Sequence, residues 1–96
     1  MNKQKILVTR AIFPETLAKL AHHFDVESNQ ADDIWTKQQL IERLQGKAGA
    51  FTFGLERIDA ELLVACPQLK ICANMTVGYN NFDLPAMSAV GVVGTN

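Results

Sequence analysis

An uncharged loop in the last third of the sequence has the residue types to bind a small anion. Residues 74–81 read Asn-Met-Thr-Val-Gly-Tyr-Asn-Asn and carry no side chain that is charged at neutral pH. Such a loop can turn consecutive backbone N–H groups toward an anion, and its glycine lets the anion approach the backbone closely. The N–H groups of Thr76, Val77 and Gly78 therefore predict a nest for a small carboxylate. The composition also fits a tight turn at Gly78 with turn hydrogen bonds from Asn80 and Asn81.

The other polar side chains predict no catalytic residue and no metal site. His22 and His23 are adjacent on a predicted helix, where their side chains diverge by about 100° and cannot bind one metal ion. Asp32 and Asp33 are adjacent carboxylates without further ligands, which is typical of solvated turn charges. Neither G-x-G-x-x-G nor G-x-x-x-x-G-K-[ST] occurs, so no nucleotide phosphate loop is predicted.

Two cysteines and one Glu-Arg pair are the remaining residues that could take part in chemistry or ligand binding. Cys66 and Cys72 match no metal or redox spacing and fall in apolar segments, so we expect reduced thiols in the core. Glu56 and Arg57 follow a predicted strand and are candidate ligand contacts. An ion pair of Arg57 with Glu61, four residues on, is the alternative.

Length and composition exclude several classes of protein. The 96 residues are 48% hydrophobic and 20% charged with a net charge of −1, which describes one globular domain. A chain without excess positive charge lacks the field that attracts phosphate backbones, so we expect no nucleic-acid partner. No apolar run approaches the roughly 20 residues that cross a bilayer, and no signal-peptide pattern is present. We therefore expect a cytoplasmic protein without a membrane partner.

Short apolar segments alternate with helical patterns, which is typical of β-α-β units in a parallel sheet. Five strands are predicted, near residues 5–9, 24–27, 48–53, 69–73 and 91–95. Right-handed connections give an α/β fold, a flavodoxin-like, doubly wound, parallel five-stranded sheet in three αβα layers. The simplest strand order is 2-1-3-4-5, and ligands bind such sheets beyond the carboxyl ends of the strands.

Start signals predict four helices between the strands. Pro14 suits the first position of the first helix. Thr36 forms a capping box with Gln39 before the second helix, and Asp59 and Asp83 are N-caps of the third and fourth. The apolar face of the first helix, predicted to be buried, is Leu17, Leu20, Ala21 and Phe24.

Two segments resemble a known family, namely residues 69–83, LKICANMTVGYNNFD, and residues 91–96, GVVGTN. They resemble the D-2-hydroxyacid dehydrogenases, especially the glyoxylate, hydroxypyruvate and 2-ketogluconate reductases, and the likeness extends over the whole chain. Its most specific part is the Val-Gly-Tyr segment with the capping Asp83. The family commonly has aspartate where this chain has Asn80 and a larger apolar residue where it has Gly94. The glycine is predicted to weaken the last strand.

The resemblance implies that residues 1–96 are the N-terminal substrate-binding domain of a longer oxidoreductase. That enzyme would use NAD or NADP to reduce glyoxylate, hydroxypyruvate or 2-ketogluconate to the D-2-hydroxy acid. Loop N–H groups would bind the substrate carboxylate, and two apolar side chains would form walls of the pocket. The implied substrate-binding residues are the wall residues Leu55 and Met75 and the loop residues Thr76, Val77 and Gly78.

The resemblance also sets expectations for these residues alone. The family's Rossmann domain, dinucleotide fingerprint and acid–base residues lie beyond this sequence, so residues 1–96 are expected to bind no cofactor and to be inactive. In the family a C-terminal helix completes the substrate domain, so residues 1–96 are expected to expose apolar surface and to be either a marginally stable monomer or self-associating. We expect a homodimer for the full-length protein. The alternative function is a free-standing flavodoxin-like binding or interaction module without catalysis.

Overall fold

The computed structural model describes residues 3–76 and 78–95, which form five strands and four helices. The strands are β1 (Lys5–Val8), β2 (Asp25–Ser28), β3 (Gly49–Thr52), β4 (Ile71–Asn74) and β5 (Val93–Thr95). The helices are α1 (Pro14–His23), α2 (Lys37–Leu44), α3 (Ala60–Ala65) and α4 (Leu84–Ala89). All neighbouring strands are parallel, in the order β2-β1-β3-β4-β5. The predicted α/β fold and strand order are confirmed.

The predicted starts of α2, α3 and α4 are confirmed by their capping hydrogen bonds. Thr36 Oγ1 accepts a hydrogen bond from Gln39 N at 3.2 Å, and Gln39 Oε1 accepts one from Thr36 N at 2.9 Å. Asp59 and Asp83 each accept a bond at 3.1 Å from a backbone N–H in the first turn of the helix that follows. These bonds satisfy N–H groups that have no partner within the helix, so the local sequence determines where each helix begins.

The hydrophobic core lies on one face of the sheet, under α2, α3 and α4. Leu7 and Cys72 of the strands pack there with Leu44, Leu62 and Met87 of the helices, and each is at most 1% exposed. Apolar burial of this kind is the main favourable term in folding. The strands whose carboxyl ends carry the candidate site are therefore held rigidly from this side.

The opposite face of the sheet is covered less completely. No residue of α1 is fully buried, because one ten-residue helix covers only part of this face. The predicted apolar face of α1 is half-buried at Leu17, Leu20 and Phe24 and exposed at Ala21, so the expected depth of burial was wrong. A groove of about 320 Å³ beside α1 is lined largely by apolar residues of β1, β3 and β4. Part of the exposed apolar surface of the described residues therefore lies on this face.

Gly94 in β5 makes room for two neighbouring side chains. A Cβ atom at this position would lie 3.0 and 3.2 Å from carbons of the Phe82 ring and 3.1 Å from Met87 Cε. These separations are shorter than the usual contact distance between carbon atoms. The Phe82 ring and the Met87 thioether thus fill the space that a side chain of residue 94 would occupy.

Candidate functional site

The carboxyl ends of β1, β3 and β4 bring three loops to one edge of the sheet. Thr52 and Asn74 are register partners at the ends of β3 and β4, so the two following loops begin side by side. Met75 N donates to Thr52 O at 2.7 Å, which continues the strand pairing one residue into the loop. The strand order reverses between β1 and β3, and in open parallel sheets ligands bind beside that reversal.

Three buried polar residues, Thr52, Asn74 and Asn81, fix the loop that follows β4, and we call them the Thr52–Asn74–Asn81 network. Asn74 Nδ2 donates to Asn81 Oδ1 at 2.8 Å and to Gly78 O at 2.9 Å. Asn74 Oδ1 accepts from Thr52 Oγ1 at 2.9 Å, and Asn81 Nδ2 donates to Glu56 O at 2.9 Å. All three network residues are at most 6% exposed. Because buried polar groups are costly to leave unpaired, the network fastens the loop to the sheet and to the β3 loop.

Sequence reasoning missed most of this network. Asn81 was predicted only as a possible turn residue, and Thr52 and Asn74 were assigned no role. The available signal was a polar residue at the end of each of two otherwise apolar strands. Such a residue is buried at a parallel sheet's edge only when it has hydrogen-bond partners.

The loop is open to solvent on both sides of residue 77. Thr76 and Gly78 are exposed, and a Cβ atom at Gly78 would meet no atom within 4 Å. Val77, the third predicted nest residue, lies outside the described residues. A small ligand can therefore reach the main chain at Thr76 and Gly78, while the network holds the loop near both of its ends. The carboxylate nest itself stays a prediction.

The loop after β3 packs against the predicted nest. Gly54 has φ +98°, a conformation that favours glycine, and a Cβ atom there would lie 3.5 Å from Thr76 Oγ1. Glu56 Oε1 accepts a hydrogen bond from Phe53 N at 2.7 Å, so this candidate ligand contact is engaged within its own loop. Leu55, a predicted wall residue, is 65% exposed in the same loop.

An ion pair fixes the loop after β1. Arg10 Nε and Nη2 donate to Asp32 Oδ1 and Oδ2 at 2.9 and 3.0 Å, and Ala11 N donates to Asp32 Oδ1 at 2.9 Å. The Arg10 guanidinium, and after it the Ala11 N–H, hold the pKa of the Asp32 carboxyl at about 2, below its ordinary value of 3.8. Asp32 is exposed, as its prediction as a turn charge requires, but it also anchors a loop, which the sequence pattern did not indicate.

Protonation of Asp32 at low pH should break its ion pair with Arg10. Because the folded pKa of Asp32 is lowered, its carboxylate stabilises the fold above about pH 4, and this contribution is lost as the pH falls toward 2. We expect Asp32→Asn to lower the free energy of unfolding at neutral pH, and this deficit to shrink between about pH 4 and 2. Asparagine also tolerates the positive φ of 62° at this position, so the deficit measures the charge.

The measurement is denaturant unfolding at a series of pH values, with Asp33→Asn as the matched control. This substitution removes the neighbouring charge but leaves the Arg10 ion pair intact, so we expect a much smaller deficit at neutral pH. A deficit of Asp32→Asn that stayed constant down to about pH 2 would contradict the proposed linkage.

Two side chains that follow β2 form hydrogen bonds with the backbone of the loop after β1. Gln30 Oε1 accepts from Ile12 N and Gln30 Nε2 donates to Ile12 O, both at 3.3 Å. Asn29, 5% exposed, donates from Nδ2 to Thr9 O at 3.0 Å and to Asp33 O at 2.7 Å. The loop after β1 is therefore held at the sheet edge through its own main chain.

A cavity of about 460 Å³, which we call the edge cavity, opens between the loops that follow β1, β3 and β4. Its lining residues are Ala11, Ile12, Phe13, Thr16, Phe53 and Met75. Met75 directly precedes Thr76, so the cavity borders the predicted nest. Met75 and Thr76 are consecutive residues, and both lie at this edge of the sheet. Leu55 is outside the cavity lining, and its role as a wall stays a prediction.

Both cysteine thiols are buried, which should lower their reactivity. Cys66 and Cys72 are free and 3% and 0% exposed. Burial raises the pKa of the Cys66 thiol, and it raises that of Cys72 to about 12. Because the thiolate is the nucleophile, we expect neither cysteine of the folded chain to react with iodoacetamide at about pH 8, and both to react in denaturant. Mass spectrometry of the alkylated protein measures this, and rapid single alkylation of the native chain would contradict it.

The remaining candidates show no second site. In the part of the chain that the structure describes, no three His, Cys, Asp or Glu residues cluster to hold a metal ion. The rings of His22 and His23 lie edge to face with centroids 5.0 Å apart. Arg57 Nε lies 3.9 Å from Asp59 Oδ2. No helix among the described residues combines the length and apolar character needed to cross a bilayer.

This architecture defines a class, a flavodoxin-like α/β domain with a polar, uncharged loop and an apolar cavity at its carboxyl edge. The chain belongs to the D-isomer specific 2-hydroxyacid dehydrogenase family, because the family model of the catalytic domain matches residues 6–96.

Curated relatives support this assignment. They also show what share of a relative's length the chain covers. The glyoxylate reductase of Thermococcus onnurineus is 38% identical over 94 residues, which are 98% of this chain and 28% of that protein. The glyoxylate reductase of Aeropyrum pernix is 33% identical over 102 aligned residues, covering 100% of this chain and 29% of that protein. The chain therefore spans less than a third of the length of these relatives.

Solved structures share the fold. An NAD-binding D-isomer specific 2-hydroxyacid dehydrogenase from Polaromonas superposes with a TM-score of 0.89 at 32% identity, over 95% of this chain and 29% of that one. The 3-phosphoglycerate dehydrogenase of Entamoeba histolytica with bound NAD⁺ gives a TM-score of 0.77 at 25% identity, over 97% and 32% of the chains. The family thus uses a nicotinamide cofactor.

The described residues do not fit that cofactor. In dinucleotide-binding folds, a glycine-rich turn after the first strand lets the pyrophosphate reach a helix N-terminus. Here the turn before α1 is Thr9-Arg10-Ala11-Ile12-Phe13, which contains no glycine. Arg10 is engaged with Asp32, and Phe13 precedes α1 with its side chain 78% exposed. The turn after β1 therefore lacks the features of a pyrophosphate-binding turn.

Proposed function

We propose that this chain is the substrate-binding part of an NAD(P)-dependent oxidoreductase that reduces small 2-oxo acids to D-2-hydroxy acids. Glyoxylate is the first candidate substrate because the relatives are named glyoxylate reductases, with hydroxypyruvate and 2-ketogluconate as further candidates. Family membership favours this function over a binding module without catalysis. The cytoplasmic location and the homodimer expected from the sequence stay predictions of the same kind.

One observation carries the proposal, the open main chain at Thr76 and Gly78 between fixed loop ends. Asn74 holds the carbonyl of Gly78 at 2.9 Å, and Met75 N is bonded to the sheet, so the loop is positioned before a ligand arrives. Preorganised main-chain donors bind a carboxylate without the cost of ordering the loop. Leu55 and Val77 complete the proposed set of substrate-binding residues.

The proposal divides the work between this chain and the rest of the enzyme. The substrate carboxylate would be bound here, which orients the carbonyl carbon for reduction. Hydride transfer requires a nicotinamide cofactor and a proton donor, which we assign to residues outside this chain. The chain alone should therefore bind the acid without reducing it.

The test is an amide NMR titration of the chain with glyoxylate. We expect shifts confined to residues 75–78 and saturating at millimolar concentrations. Glycolaldehyde, which keeps the carbonyl but lacks the carboxylate, is the matched ligand control and should cause much smaller shifts. Absence of shifts at this loop up to about 50 mM glyoxylate would refute the proposed function.

Two substitutions at one position test whether the main chain is the donor. Gly78→Pro removes the N–H group, so we expect glyoxylate affinity to fall at least about tenfold. Gly78→Ala keeps the N–H group, and its Cβ would meet no atom within 4 Å, so affinity should change by less than about threefold. Equal affinities of the two variants would contradict main-chain recognition.

A further inference from the structure

The sulfur-containing side chains that the structure describes differ sharply in exposure. Cys66, Cys72 and Met87 lie in the hydrophobic core and are at most 3% exposed. Met75, by contrast, is 52% exposed and lines the edge cavity. Met1, the remaining methionine, lies outside the described residues. An oxidant dissolved in water can therefore reach the Met75 side chain, whereas the three core side chains are shielded from it.

We propose that Met75 is a reversible oxidation site that regulates ligand binding at the adjoining loop, and the regulatory part of this inference rests on the proposed function. The oxidant is hydrogen peroxide, whose O–O bond breaks as one oxygen atom bonds to Met75 Sδ. A proton moves to the other oxygen, which leaves as water, so the thioether is oxidised to a sulfoxide and the peroxide is reduced. A dithiol reverses the step through a sulfoxide reductase, becoming a disulfide while the sulfoxide oxygen leaves as water.

The main chain at Met75 is fixed, so oxidation should change this side chain without moving the loop. Met75 N donates to Thr52 O at 2.7 Å. The preceding residue, Asn74, is buried and accepts a hydrogen bond from Thr52 Oγ1 at 2.9 Å. Because the Met75 side chain is already partly in water, a polar group on it disrupts little packing. The fold should therefore persist when Met75 alone is oxidised.

A sulfoxide oxygen finds no backbone donor in the wall of the edge cavity. The N–H groups of Ala11, Ile12 and Phe53 donate to internal partners at 2.9, 3.3 and 2.7 Å. The sulfoxide oxygen accepts hydrogen bonds and carries a partial negative charge, so it should turn toward water and the exposed main chain at Thr76. There it would repel a carboxylate and compete with it for main-chain donors. Oxidation should therefore weaken the binding of an anion to this loop.

Peptide mapping by mass spectrometry after treatment with hydrogen peroxide tests the oxidation site itself. Cleavage before Asp83 places Met75 and Met87 in separate peptides. In the folded chain we expect Met75 to gain an oxygen atom at least about tenfold faster than Met87, because oxidation follows exposure. In denaturant the two rates should agree within about twofold. Equal rates in the folded chain would overturn the proposal.

Glyoxylate titrations of the reduced and the oxidised chain, followed by amide NMR, test the regulation. We expect the oxidised chain to bind glyoxylate at least about fivefold more weakly, and a sulfoxide reductase with dithiothreitol to restore the affinity. Met75→Leu is the matched control, because leucine is apolar and cannot form a sulfoxide. Peroxide treatment should change the affinity of this variant by less than about twofold, although Met1 and Met87 are still present.

The outcomes distinguish the oxidation site, its regulatory role and the proposed function. Equal glyoxylate affinities of the reduced and oxidised chains would refute the regulation. A fall of the urea midpoint by more than about 0.5 M on oxidation would also refute it, because binding would then be lost through unfolding. Absence of binding to the reduced chain would refute the proposed function and the regulation together, whereas the peptide map decides the oxidation site independently.

Discussion

Asn74→Ala is expected to destabilise the chain by about 3 kcal/mol, the largest single effect we predict. The substitution leaves the Thr52 hydroxyl, the Asn81 amide and the Gly78 carbonyl without the partner that lies 2.8 to 2.9 Å away. A buried polar group that loses its partner costs about 1–3 kcal/mol, and three groups are affected here. Because small domains have only about 5–15 kcal/mol of stability, the loss should be evident in urea unfolding.

A substitution of the neighbouring Asn80 and two substitutions of Thr52 serve as controls. Asn80 is exposed in the same loop, so Asn80→Ala should change the unfolding free energy by less than about 0.5 kcal/mol. Thr52→Val keeps the side-chain shape but removes the hydroxyl donor, and we expect a loss of about 1–2 kcal/mol. Thr52→Ser retains the donor and should be milder. If Asn74→Ala and Asn80→Ala were equally harmful, the network would not be what holds this loop.

The same network shows what the sequence could and could not predict. The starts of α2, α3 and α4 were predictable because Thr36, Asp59 and Asp83 bond to residues three positions away. The Thr52–Asn74 bond joins residues 22 positions apart, and its existence depends on the register of β3 and β4. Local patterns do not contain this register, so the buried network was missed while its neighbouring loop was found.

Two further differences between prediction and structure also arise from contacts between residues far apart in sequence. Asp32 was expected to be a turn charge, but its partner Arg10 lies in the loop of another strand, 22 residues away in sequence. The apolar face of α1 was predicted to be buried, but its depth of burial depends on what else covers that side of the sheet. Periodicity gives the direction of a side chain, whereas burial is set by tertiary neighbours.

Gly94→Val is expected to destabilise the chain by about 2 kcal/mol, although valine favours strands. Replacing glycine by a β-branched residue within a strand gains about 1 kcal/mol from strand propensity. The new Cβ would lie 3.0 Å from the Phe82 ring and 3.1 Å from Met87 Cε, and the valine methyl groups extend further into the same space. Overpacking costs about 1–3 kcal/mol or more, so it should outweigh the gain in propensity. If Gly94 only weakens β5, as the departure from the family pattern predicts, the same variant would instead be more stable.

A double-mutant cycle with Phe82→Leu separates these two explanations. The smaller leucine opens space next to residue 94, so Gly94→Val should be neutral or stabilising in that background, with an interaction energy of about 2 kcal/mol. Val93→Thr is the control, because residue 93 is 55% exposed and should show no coupling to Phe82. Phe82 directly follows Asn81 of the buried network, so Gly94→Val should also shift the amide resonance of Gly78. Unchanged loop resonances together with additive stabilities would show that β5 and the candidate site are independent.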